Sequence, residues 1–261
     1  MLHRQDKEGL ILISQPAHAW VSGQLARNWG NETFGHFAPA EEVCFAAEQH
    51  DIGFLEWEQA PTLDHESGLP HTFMNLPTEI HLGIWSKGIR ELIRFGRYPA
   101  LLVSLHFTGL CRRHCGGKNP QEMQMAQNFL DDQEALQSAV RTSLLNDVHY
   151  APFSSDETIE RNQKLLSLWD LLSLVLCAGV GAEQSACSVP AANSQTCTIV
   201  LRPIKTDPPR VQIEPWPFRS AKLQVVCEGR RLLKTYKRAD ELHNAVRAAS
   251  PVPIVMELTA G

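Results

Sequence analysis

The chain has 261 residues, 43% of them apolar, and a formal net charge of −5. That length and apolar content provide for a large buried core. The negative balance argues against a broad basic face for duplex nucleic acid or an anionic membrane, so the expected partner is a small molecule.

The opening stretch MLHRQDKEGLILIS has a short apolar run and none of the pattern of a secretory leader. A cytoplasmic protein is expected. The seven cysteines are odd in number and follow no pairing rhythm, which fits reduced thiols.

Taken in chain order, GLILIS (residues 9–14) reads as a short strand. QPAHAWVSGQLARNWG then reads as a helix, with proline in its first turn and glycine past its end. A second helix is expected over about 40–51, stopped near Gly53, and the polar, turn-rich EQAPTLDHESGLPHTFMNLP follows as a long loop. Helical periodicity resumes in TEIHLGIWSKGIRELIRF, YPALLVSLHFTGL, NPQEMQMAQNFLDDQEALQSAVRTSLLND and SDETIERNQKLLSLWDLLSLVLCAG. The last of these is apolar enough to suggest a membrane span, but Asp170 stands in its middle, and a buried helix is the better reading.

The small, polar stretch over 183–195 reads as a linker. Beyond it TCTIVLRPI, RVQIEPWPF, KLQVVCEGRRLL and PIVMEL alternate as strands, with one helix, RADELHNAVRAA, before the last. The expected architecture is mainly α. A helical domain spans 1–185, and a small antiparallel β element over 196–261 packs on it and is able to take in the N-terminal strand.

Several inward-facing polar residues punctuate these helices. His18 stands early in the first, His50 and Asp51 end the second, His81 opens the third, and His106 lies between ALLVSL and FTGL. Asp170 is the most informative of them, because an ionised carboxylate in an apolar helix is costly without a partner. A set of imidazoles and carboxylates presented by facing helices is how metal sites are assembled inside a helical protein. With no thiolate in the set, such a site favours Fe, Mn, Zn, Co or Mg.

This order of residues resembles the HD superfamily of metal-dependent phosphohydrolases, in which one His, a His-Asp dyad and a distant Asp bind the metal and further His residues fall between in binuclear members. The resemblance implies an HD-like helical bundle and the metal ligands His18, His50, Asp51, Asp170, His81 and His106, holding one or two ions. It also implies catalysis in which Asp51 orients the attacking water. Through QPAHAWVSGQLARNWG, HDIGFLEWEQAP, LLVSLHFTGL and LWDLLSL the chain also resembles an uncharacterised bacterial family attached to that superfamily, over nearly its full length. Two departures bear on activity. Phe54 stands where cyclic-dinucleotide members carry lysine, and Phe107 where many binuclear members carry a second histidine, which favours one metal over two.

The activity expected on this resemblance is hydrolysis of a phosphate ester of a small molecule, the metal lowering the pKa of water and polarising a phosphoryl oxygen. Arg112, Arg113, Lys87 and Arg90 are candidate phosphate contacts. In the loop after the dyad, Glu56, Glu58, Asp64 and His65 are candidates for a lid or for support behind the metal. Two other readings are carried: a non-catalytic sensor that binds metal or ligand on the same scaffold, and an HD-type di-iron oxygenase. CRRHC lacks the second pair that a structural zinc site needs, and no ferritin-like Glu-x-x-His, zincin, dinucleotide or nucleophile-elbow motif occurs.

Overall fold

The computed structural model describes residues 1–115 and 119–261. The chain begins as a hairpin of β1 (Leu2–Asp6) and β2 (Gly9–Ile13), registered from Leu2 opposite Ile13 to Asp6 opposite Gly9. Ser14 then caps α1 (Gln15–Asn28) by accepting a hydrogen bond from the Ala17 N–H. Pro16 fits the first turn, where no donor is needed.

α2 (Ala40–Gln49) and the single turn α3 (Phe54–Trp57) follow, then a two-strand ribbon of β3 (Leu63–Asp64) and β4 (Leu69–Pro70). The helical body continues as α4 (Thr78–Leu92), α5 (Arg97–His114), α6 (Pro120–Leu145) and α7 (Asp156–Ala178). The last part of the chain is β5 (Gln184–Pro190), β6 (Thr196–Thr206), β7 (Pro209–Glu214), β8 (Lys222–Leu232), α8 (Ala239–Ala248) and β9 (Pro251–Ala260).

The expected small antiparallel element on a helical bundle is overturned by a curled sheet of seven strands in the order β1-β2-β8-β9-β7-β6-β5. It is mixed, because β7 and β9 run parallel. Two strands enlarge it beyond the sequence reading. The N-terminal strand β2 joins as that reading allowed, pairing with β8 from Leu10 opposite Leu232 to Ile13 opposite Gly229, but it brings with it the unforeseen edge strand β1. The stretch taken for a linker, 183–195, is mostly the edge strand β5, paired with β6 across a register shift between Ala186 and Val189. Both outer strands are polar on much of their length, so they lack the alternation that β8 displays, buried at every second residue from Leu223 to Gly229.

One apolar core runs through the helices and into the sheet. The fully buried Trp29, just past α1, makes edge contacts with Trp169 of α7 at 5.8 Å and with Phe218, between β7 and β8, at 5.7 Å. This packing ties to the sheet the two helices that carry His18 and Asp170. A smaller cluster that includes Leu12, Leu63, Leu232 and Leu242 fills the space under α8. Among the described residues no helix is long and apolar enough to cross a membrane.

Candidate metal centre

Four helices of the body aim polar side chains at one point. His18 comes from the start of α1, His50 and Asp51 from the end of α2, His106 from the middle of α5, and Asp170 from the middle of α7. His18, His50 and His106 are each no more than 1% exposed. His18 Nε2 lies 2.8 Å from Asp51 Oδ2, and His50 Nε2 lies 3.7 Å from the same oxygen and 3.3 Å from Asp170 Oδ1. His106 Nε2 lies 3.4 Å from Asp170 Oδ2. Two overlapping groups result, His18 with His50 and Asp51, and His50 with His106 and Asp170. In each, the ligating atoms lie within 4.8 Å of one another, so the chain holds His/Asp groups that could bind a metal ion.

The far side of every imidazole is occupied. Nδ1 of His50 donates to the Ala47 carbonyl at 2.9 Å, and Nδ1 of His106 meets Ser167 Oγ at 2.8 Å. Nδ1 of His18 meets Ser173 Oγ at 2.9 Å, and that hydroxyl gives its own proton to the Asp170 carbonyl. With Nδ1 as the donor, each neutral ring turns the lone pair of Nε2 inward, the arrangement that metal-binding histidines take from their outer partners. Nε2 of His50 and of His106 is buried and has no hydrogen-bond partner. Orphaned acceptors beside two carboxylates are costly unless a cation joins them, so the residues present fit a divalent metal.

The charges agree with this. Burial opposes the imidazolium of His50, yet the carboxylates of Asp51 and Asp170 overcome burial and push its pKa up to about 9. Burial would raise the pKa of Asp51 and of Asp170, but the facing histidines outweigh it. Asp51 is held below the usual range by His50 and His18, and Asp170 well below it by His106 and His50. Without a metal, His50 therefore keeps its proton at neutral pH.

α7 carries the supports in a stripe, Ser167, Asp170 and Ser173, at intervals of three residues on one helical face. Gln15, the first residue of α1, donates through Nε2 to Asp51 Oδ2 at 3.1 Å. Gly53 explains the bend after the dyad. A Cβ there would meet the Ile84 carbonyl at 2.3 Å, so only glycine lets α3 begin against the backbone of α4. Sequence reasoning missed Gln15, Ser167 and Ser173, although the serines three residues either side of Asp170 in an apolar helix were a readable signal.

The cluster opens into a cavity of about 980 Å³. His81 lines it but stands in neither metal group, resting on Trp85 with ring centres 4.3 Å apart. Burial lowers its pKa to about 4, so the ring stays neutral. Of the expected phosphate contacts, Arg113 lines the cavity. Arg112, Lys87 and Arg90 do not: Arg112 turns outward to Glu134 at 2.7 Å, Lys87 pairs with Glu56, and Arg90 is exposed on α4. Helical phase separates Arg112 from Arg113 by about 100°, which only the docking of α5 resolves. Lys164 also lines the cavity and was not foreseen.

The loop residues divide as well. Glu58 is buried and holds the first N–H of α1, its Oε1 accepting from Gln15 N at 2.9 Å, so it supports the cluster from behind. Glu56 is an exposed partner of Lys87, and Asp64 closes the β3–β4 turn by accepting from Ser67 Oγ at 2.7 Å. His65 is exposed in that turn and does not line this cavity. Phe73 and Met74, further along the same loop, border the cavity instead.

The model of a family described as "Protein of unknown function (DUF3891)" matches residues 1–234. Neither the curated proteins nor the solved structures gave a match.

Proposed function

We propose that this chain, which belongs to the DUF3891 family, is a metal-dependent hydrolase of a phosphorylated small molecule. The observation that carries the reading is the convergence of three Nε2 atoms on two carboxylates, with every Nδ1 already engaged on its outer side. The HD resemblance of His18, His50, Asp51 and Asp170 supports it independently of the sheet.

His18, His50, Asp51 and Asp170 would hold the ion, and His106 completes the set. His50 belongs to both groups, yet it has a single free nitrogen because Nδ1 is bound to Ala47, so it serves one ion. When bound, a divalent ion such as Mn, Fe, Zn, Co or Mg supplies Lewis acidity and a water that deprotonates near neutral pH. Gln15 fixes the rotation of the Asp51 carboxylate, which is placed to orient that water. Arg113 and Lys164 on the cavity wall meet the phosphate charge, and the apolar wall of Trp85 and Phe107, stacked at 4.8 Å, excludes bulk water.

The test is elemental analysis of the purified chain beside His50→Ala and Asp51→Asn variants, followed by phosphate release from a set of phosphate monoesters after loading with Mn²⁺. One metal per chain, lost in both folded variants together with turnover, is the expected result. Metal binding without turnover of any ester refutes the hydrolase and leaves a binding module.

A further inference from the structure

The cavity joined to the metal cluster holds more apolar surface than the chemistry of a phosphate needs. Leu171 of α7 and Met74 of the loop before α4 both border it, yet they are 44% and 77% exposed. Leu168 and Leu174 follow on the same side of α7, spaced so that Lys164, Leu168, Leu171 and Leu174 line one wall over about 15 Å at the helical rise of 1.5 Å per residue. Large apolar side chains left open inside a cleft that ends at polar catalytic groups mark a place for an apolar part of a ligand.

Charge then limits the other part. The formal charges on the lining are the carboxylates of Asp51, Asp170 and Glu122 and the cations Arg113 and Lys164, with histidines counted neutral. One divalent ion leaves the cavity with a single net positive charge. Lys164 is already shared with Glu160 at 2.6 Å, whereas Arg113 has no carboxylate within ion-pairing distance among the described residues. A phosphate monoester dianion leaves about one negative charge unmatched by that inventory, whereas a polyphosphate leaves a larger buried excess, which would be costly.

We infer that the substrate is a monophosphate ester of an apolar alcohol, its phosphate on the metal cluster and Arg113 and its carbon chain along Leu171, Leu174 and Met74. The inference rests on the hydrolase reading for turnover but not for binding. In the reaction the water oxygen forms a new bond to phosphorus and the ester P–O bond breaks. One water proton stays on the phosphate and the other leaves with the alcohol.

The test uses the full chain loaded with Mn²⁺. Calorimetric titration compares methylphosphonate with hexylphosphonate, which cannot be hydrolysed, and phosphate release compares methyl phosphate, hexyl phosphate and ATP in excess Mn²⁺. Hexylphosphonate should bind at least about tenfold tighter than methylphosphonate, since each fully buried methylene is worth roughly a factor of four. The double variant Met74→Ser, Leu171→Ser should bring that preference below about threefold, with methylphosphonate binding unchanged. Both side chains are exposed enough for the variant to fold.

Equal binding of the two phosphonates overturns the inference, as does faster turnover of ATP than of hexyl phosphate, which would leave the hydrolase standing with another substrate class. Tighter binding of hexylphosphonate with no hydrolysis of any ester sustains the apolar ligand and refutes the hydrolase. Absence of binding by either phosphonate overturns the inference, and joined with no hydrolysis of any ester it refutes the hydrolase as well.

Discussion

Removing the metal should reverse how the stability of the protein depends on pH, with His50 as the responsible group. In the metal-free fold its pKa is about 9, because Asp51 and Asp170 hold the imidazolium against the cost of burial. In the unfolded chain it returns to about 6.5. A pKa raised on folding gives stability that is fully present below the unfolded value and lost as pH rises through the folded one. Across the window from 6.5 to 9, at about 1.4 kcal/mol per unit, the metal-free protein should lose about 3 kcal/mol. In a chain of this size that lowers Tm by roughly 6 °C or more.

Asp51 and Asp170 add no slope in that window, since both are ionised in the folded and unfolded states throughout it. With Mn²⁺ or Zn²⁺ bound, the proton is displaced and the slope changes sign, because the unfolded His50 still gains a proton as pH falls while the bound one does not. The assay is thermal unfolding by circular dichroism at pH 6.5, 7.5, 8.5 and 9, with chelator and with saturating metal. A metal-free Tm that stays constant or rises across the window would refute the assignment of the proton to His50 between two carboxylates.

Four further outcomes follow from single contacts. Ser173→Ala removes the acceptor that orients His18, and metal affinity should fall by about 10- to 100-fold in a folded protein, read by competition against a chelating dye. Gly53→Ala drives a methyl group into the Ile84 carbonyl and should cost about 1–3 kcal/mol in denaturant unfolding, or prevent folding altogether. Arg113→Ala should raise KM for a phosphate monoester about tenfold at constant metal content, whereas Arg112→Ala, which loses only the exposed pair with Glu134, should stay within about twofold. Lys87→Ala should likewise leave steady-state parameters and stability almost unchanged, because its pair with Glu56 is solvated.

The His/Asp cluster was legible in the sequence to the extent that burial made it so. Asp170 in LLSLWDLLSL demanded a cation or donor whatever the fold, because an apolar helix cannot solvate a carboxylate, and the imidazoles of His18, His50 and His106 were the available partners. The helices were legible for the same reason, since α1, α4, α5 and α7 carry apolar periodicity and α1 and α7 carry their own serine caps. What local pattern could not supply was pairing between distant strands. β1 and β5 are edges with exposed polar residues, and β2 finds β8 more than two hundred residues away, so the size of the sheet depends on contacts that leave no local periodicity.

The same distinction divides the side chains around the site. Position beside His81 and His106 proposed four cations equally, and the rotation of α4 and α5 against their neighbours sent Lys87, Arg90 and Arg112 to solvent and Arg113 to the cavity. Sequence by itself determined which groups are too costly to bury alone. Tertiary structure decided which of the remaining polar groups meet them, because helical phase and strand pairing are settled only when the elements pack.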